Sequence, residues 1–266
     1  MKKEFNPLRK IFLITIPVLF LFSCYTNAGT NYPEVTKHLG KVLPLDLTFT
    51  NSHGKKVVLR DLITKPTVID FVYYRCTGIC TPLMAELSEI IGKAKYEPGK
   101  DYNVISISID QFETPKIAAE KKHDMLSISS KVIPDSAWTF LTGDSTSIYE
   151  LTNTAGFKFV RVSNGFLHKG VLIFVDKTGK IVQYLSPGFV KQTGDFTILP
   201  SEFELAVEKA GKGKITSTIE KVLQTCSTFV AKGKSAIVLF LVFASGIITI
   251  TTVLIIIKRT KVKHEA

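Results

Sequence analysis

The sequence predicts an α/β fold, a mixed β-sheet covered by helices on both faces. Three observations predict it. β-prone runs alternate with helix-periodic runs between residues 31 and 208. Turn residues close two hairpins, Asn51-Ser52-His53-Gly54 near the start of that stretch and Asp176-Lys177-Thr178-Gly179 near its end. The stretch is also electrically balanced, so the formal net charge of +11 on the 266 residues lies in the flanks. A neutral body between basic flanks argues against a nucleic-acid binder and for membrane topology. With 45% hydrophobic residues and 4 cysteines, neither a disordered chain nor a disulfide-dense miniprotein fits.

In chain order, residues 1–23 read as an export signal: Lys2, Lys3, Arg9 and Lys10 precede a short apolar run. Leu21-Phe22-Ser23-Cys24 resembles a lipoprotein cleavage box, which would make Cys24 a lipid attachment point; the alternative is ordinary cleavage. Residues 45–50 and 56–59 form the first hairpin. Residues 67–74 are strongly β-prone and suit a central strand. Leu83, Leu87, Ile90 and Ile91 give helical spacing over 81–93. A second core strand follows at 102–109. Thr114 as N-cap and Pro115 at the first position open a helix over 115–126. A strand at 138–141 and a helix at 145–154, ended by Gly156, come next. Residues 157–162 read as a short extended piece and 163–167 as a flexible loop. The second hairpin joins 170–175 to 180–185. A helix over 201–210 carries a capping-box pattern with Glu204 at its third position. A basic linker at 211–235 leads to residues 236–257, which lack any charge. As a helix these would span roughly 33 Å, enough for a bilayer core of about 30 Å. The basic tail, 258–266, would lie in the cytoplasm. The expected localisation is a bacterial cytoplasmic membrane, with a single C-terminal anchor and the body on the periplasmic side.

Chemistry concentrates in Tyr74-Arg75-Cys76-Thr77-Gly78-Ile79-Cys80-Thr81-Pro82, between a central strand and the helix it feeds. Cys80 falls in the first helical turn, where orphan N–H groups favour a thiolate, and Arg75 adds positive charge. The three-residue spacing lets both sulfurs converge, as a disulfide or as two ligands of a soft metal: Cu(I), zinc or iron–sulfur. His168 is the candidate for a third ligand, or else a surface or core histidine. It precedes the strand over 170–175, which can neighbour the cysteine strand. His123 reads as solvated helix face, and His38, His53 and His264 lie away from the core strands. Asp110 ends the second core strand near the same point and is a candidate for orienting His168 or tuning the thiolates, or else a turn residue. One of Tyr73 and Tyr74 should pack the core and the other approach the site. Trp138 reads as core, and Cys226 as an accessory thiol in the linker.

Over residues 37–210 the chain resembles the Sco/SenC proteins, thioredoxin-fold copper chaperones for cytochrome c oxidase assembly. The resemblance rests on Gly40-Lys41-Val42-Leu43-Pro44 with the following hairpin, on Cys76-x3-Cys80 with Pro82, on Asp110-Gln111-Phe112-Glu113-Thr114-Pro115, and on His168. The departures are Thr81 between Cys80 and the proline, Gln111, Glu113, and an anchor at the C-terminal end. The resemblance implies a thioredoxin-like domain over 31–210 with an N-terminal β-hairpin addition and an inserted β-hairpin; the transmembrane helix that is expected to follow is read from the apolar run alone. It implies one copper per chain, Cu(I) or Cu(II), held by Cys76, Cys80 and His168. The implied partner is the copper-bearing subunit of cytochrome c oxidase or another extracytoplasmic copper or thiol client; neither nucleic acid nor a small-molecule substrate is expected. Two further readings stand beside the metallochaperone. One is a thiol–disulfide oxidoreductase that uses Cys76 and Cys80 alone. The other is an anchored domain whose disulfide is structural.

Overall fold

The computed structural model describes residues 33–76, 78–190 and 195–215. Strand β1 (Thr48–Asn51) turns into β2 (Lys56–Val58) through Gly54, whose φ of +75° and N–H bond to the Asn51 carbonyl close the loop. A single turn, α1 (Leu59–Leu62), follows. Strand β3 (Thr67–Val72) is buried at all six positions. This burial explains its unbroken β-prone run: Val68 and Val72 face one layer of core, Ile69 and Phe71 the other. Helix α2 (Cys80–Lys93) returns the chain to β4 (Asn103–Ser108), and α3 (Pro115–Ile128) returns it to β5 (Trp138–Thr142). Thr114 caps α3, and Asp144 caps α4 (Ser145–Thr154) by accepting from the Ser147 N–H at 2.9 Å.

Beyond α4, β6 (Phe159–Val162) and β7 (Gly165–His168) pair as a hairpin of their own. The expected flexible loop at 163–167 is therefore a correction. Ser163 and Asn164 make a tight turn, Gly165 takes the φ of +132° needed to re-enter the ladder, and Phe166 packs on Phe159. Strands β8 (Leu172–Val175) and β9 (Ile181–Leu185) form the second expected hairpin, fixed by the Asp176 carboxylate, which accepts from the Thr178 and Lys180 N–H groups. Two three-residue strands, β10 (Gly188–Val190) and β11 (Asp195–Thr197), pair before α5 (Pro200–Lys212). The capping box expected at Glu204 does not form. Pro200 starts the helix one residue earlier, and Glu204 instead accepts from the Lys95 N–H at 2.9 Å.

The main sheet has seven strands in the order β2-β1-β5-β4-β3-β8-β9. β3, β4 and β5 run parallel; β8 is antiparallel to β3. Helices α2, α3 and α5 cover one face, and α1 and α4 contribute to the core on the other. The α/β arrangement is thus the thioredoxin-like one, with β1–β2 as addition and β6–β7 as insertion. The expected C-terminal transmembrane helix is corrected. Among the described residues no helix is long and apolar enough to cross a membrane, and 236–257 lie outside them. The localisation built on a single C-terminal anchor is not supported either. The signal at 1–23, Cys24, Cys226 and the tail also lie outside the described residues.

Asp70 is the exception within β3: it is fully buried, and it faces the α2 side together with Val68 and Val72. Ser106 donates to its Oδ1 at 2.7 Å, while Oδ2 has no partner among the described residues. Burial pushes its pKa from 3.8 up to about 7. Below 3.8 the carboxyl is protonated in both folded and unfolded chains. Between 3.8 and about 7 it ionises only in the unfolded chain, so stability falls as pH rises. Urea unfolding should show wild type losing about 3 kcal/mol from this group between pH 5 and 8. Asp70→Asn should lack that slope; an equally steep slope in the variant would refute the assignment.

Candidate metal centre

Three pieces of chain meet because of how β3 is paired. β4 is parallel to β3, so both end at one edge, and the Ile109 N–H donates to the Val72 carbonyl at 2.8 Å. β8 is antiparallel, so the chain entering it passes beside the chain leaving β3. The parallel pairing brings the cysteine loop against the turn that starts at Asp110. The antiparallel one brings in the end of β7, and with it His168.

The loop begins with a turn in which the Cys76 N–H donates to the Tyr73 carbonyl at 3.0 Å. Tyr74 points inward: its hydroxyl accepts from the Leu141 N–H at 3.0 Å and lies within 2.9 Å of the Ser106 and Leu141 carbonyls. Tyr73 points outward and meets Phe166 edge-on at 5.4 Å. Trp138 is core, donating to the Ser106 hydroxyl at 2.8 Å.

The two cysteines are free thiols with opposite environments. Cys76 is half-buried and its sulfur accepts from the Gly78 N–H at 3.2 Å. Its pKa is lowered to about 6, mainly by the hydrogen bond from the Cys80 thiol and further by backbone N–H groups at the start of α2 and by Lys121. Cys80 is buried, and the same hydrogen bond and its burial push its pKa up. Cys80 Sγ lies 3.1 Å from His168 Nε2. His168 Nδ1 lies 3.2 Å from the Lys169 carbonyl, which can only accept, so Nδ1 carries the proton and Nε2 turns its lone pair to Cys80. Burial lowers the His168 pKa, with the Lys169 carbonyl opposing, which favours the neutral ring.

Asp110 does not contact His168. Its Oδ2 accepts from Arg75 at 3.2 Å and its Oδ1 from Arg161 at 2.9 Å. Arg161 lies opposite Phe166 on the hairpin face that also carries Phe159 and His168. One buried carboxylate therefore joins the cysteine loop to the histidine hairpin. Sequence reasoning overlooked Glu113, present only as a departure from a motif. Its buried carboxylate accepts from the Tyr74 N–H at 2.9 Å, the Arg75 N–H at 2.8 Å and the Ser108 hydroxyl at 2.6 Å. His123, by contrast, is solvated, and His53 pairs with Asp135 on the surface.

Among the described residues no group of three Cys, His, Asp or Glu stands close enough together to hold a metal ion as placed. The donors present are the Cys80–His168 pair and Cys76, which lines a cleft of about 240 Å³ with Tyr73, Arg75, Ile79, Val162 and Phe166. Two soft sulfurs and one neutral imidazole fit Cu(I), and a thiolate beside a proton-holding thiol also fits disulfide exchange. Alkylation by iodoacetamide, read by peptide mass spectrometry, should label Cys76 with a midpoint at pH about 6 and leave Cys80 protected in the folded chain. Equal labelling of both cysteines at neutral pH would contradict this asymmetry.

The family described as SCO1/SenC matches residues 41–193. A relative named SCO1 protein homolog, from Bacillus subtilis (strain 168), is 29% identical over 174 residues, 64% of this chain and 84% of that protein. A structure from Aquifex aeolicus VF5 is similar with a TM-score of 0.57 at 23% identity, over 66% of this chain and 95% of its own. A SCO1/SenC family lipoprotein from Bacillus anthracis str. Ames is similar with a TM-score of 0.52 at 22% identity, over 66% and 99%. At these identities the two structures speak to the fold.

Proposed function

The chain belongs to the SCO1/SenC family, and on that footing we propose that it is a copper metallochaperone. It takes one copper ion per chain as cargo, through Cys76, Cys80 and His168, and passes it to the copper site of cytochrome c oxidase during assembly. The contact of Cys80 Sγ with the lone pair of His168 Nε2, at 3.1 Å beside Cys76, carries the reading.

Each residue has a distinct task. Cys76, at the cleft, is the first donor an incoming ion meets and the first an acceptor thiolate displaces. Cys80 gives up its proton as Cu(I) is captured, since the thiolate is the ligand. His168 keeps its proton on Nδ1, against the Lys169 carbonyl, so Nε2 stays available. Asp110 holds the hairpin, through Arg161, in the position from which His168 reaches the sulfurs. Competition of the reduced full-length chain with a calibrated Cu(I) chelator should show one tight site. Cys76→Ser, Cys80→Ser and His168→Ala should each weaken it by more than Asp110→Asn, whose half-solvated ion pairs with Arg75 and Arg161 are worth about 0–1 kcal/mol each. Reduced, folded wild type that cannot compete would sink the chaperone reading.

The asymmetry of the two thiols favours one further reading, thiol–disulfide reduction. The Cys76 thiolate attacks a client disulfide, whose S–S bond breaks and releases one client thiolate. Cys80 then attacks the Cys76 sulfur, releasing the second thiolate and leaving a Cys76–Cys80 disulfide. The client gains two electrons and this chain loses two. His168→Ala should keep this activity in a peptide-disulfide reduction assay while losing copper. Loss of reduction in that variant would tie His168 to both chemistries.

A further inference from the structure

We propose that the cleft beside Cys76 is the docking groove for the cysteine-bearing segment of the client polypeptide, and that it favours a cysteine flanked by an aromatic and an acidic side chain. The inference deepens the reading above and rests on it in one respect: a client must bring a sulfur to Cys76. Cys80 and His168 are buried, 1% and 2% exposed, so Cys76 is the donor a second chain can reach.

The wall that such a chain would slide along is built for aromatic contact. Tyr73 meets Phe166 edge-on, the Arg161 guanidinium lies 4.6 Å from the Phe166 ring centre and 5.4 Å from that of Phe112, and Phe112 is 64% exposed. An aromatic–guanidinium–aromatic ladder thus joins Tyr73 and Phe166, in the lining of the cleft, through Arg161 to the exposed ring of Phe112. Val162 and Ile79 add apolar surface to the cleft itself. Exposed apolar groups gathered round a reactive thiol mark a contact surface more than scattered ones do.

Charge adds the second preference. The side chains of Arg75 and Arg161 are about half exposed, 48% and 54%, whereas the carboxylates that balance them, Asp110 and Glu113, are buried. A ligand entering the cleft meets the Arg75 guanidinium in its lining, with Arg161 stacked on the lining ring of Phe166 and the balancing carboxylates buried behind them, which suits a carboxylate.

Disulfide exchange tests the groove without copper, so failure here and failure of the copper reading are separable. The probe is a set of four cysteine peptides, each activated as a mixed disulfide with thionitrobenzoate, with Phe or Ala before the cysteine and Glu or Gln after it. The protein is the full-length chain with Cys24→Ser, Cys80→Ser and Cys226→Ser, leaving Cys76. The Cys76 thiolate attacks the peptide sulfur, the S–S bond breaks, thionitrobenzoate leaves and a peptide–protein disulfide remains. Each rate is divided by that peptide's rate with free cysteine. The Phe–Glu peptide should exceed the Ala–Gln peptide by about tenfold, and Phe112→Ser with Val162→Ser should remove most of the Phe preference. Equal normalised rates for the four peptides, or a Phe preference unchanged in the double variant, would overturn the proposal.

Discussion

Strand β3 is hydrogen-bonded along both edges, to β4 in parallel and to β8 antiparallel. The two pairings act differently at its C-terminal end. The parallel one lines up the ends of β3 and β4, so the loops that leave them are neighbours. The antiparallel one makes the segment before β8 a neighbour as well. Six buried residues hold β3 in this position, with apolar side chains committed to both faces, so its register cannot slip without exposing core. The cysteine loop, the Asp110 turn and the His168 hairpin inherit their places from that strand.

Hydrogen bonds of unequal strength then fix the details. Glu113 accepts from two backbone N–H groups of the cysteine loop and from Ser108, all within 2.9 Å. Removing such a buried acceptor strands each donor at a cost of about 1–3 kcal/mol. The Arg75 and Arg161 pairs with Asp110 have one partner half in water, so each is worth nearer the 0–1 kcal/mol of an exposed pair. The loop is therefore anchored firmly by Glu113, and the hairpin is held more lightly by Asp110.

The cysteine positions were legible because strand, turn and helix N-terminus are local patterns. The neighbourhood of His168 followed from one topological inference, that the 170–175 strand lies beside the cysteine strand. What local pattern could not supply was the partner of Asp110. Its ion pairs reach Arg75 and Arg161, 35 and 51 residues away, and no periodicity encodes such a distance. Glu113 was missed for the same reason: two of its three donors are backbone groups of another loop. Ser163-Asn164-Gly165 read as mobile because turn-forming residues mark a loop and a hairpin alike, and the Phe159–Phe166 contact that decides between them is tertiary. Glu204 had the right residue type for a cap, but Pro200 moved the helix start. The apolar run at 236–257 is plain in the sequence and lies outside the described residues.

The hydrogen bond from Trp138 to Ser106 has an optical consequence. The chain has 1 tryptophan, and the hydroxyl its indole meets is the one that donates to Asp70. Indole, hydroxyl and carboxyl form a short polar wire through the core layer that also contains Cys80. Emission excited at the red edge, beyond the absorption of the 8 tyrosines, therefore comes from a single indole whose local field changes when Asp70 gains or loses its proton. The molecule carries its own spectroscopic gauge of the sheet interior, with no label to attach and no second indole to subtract.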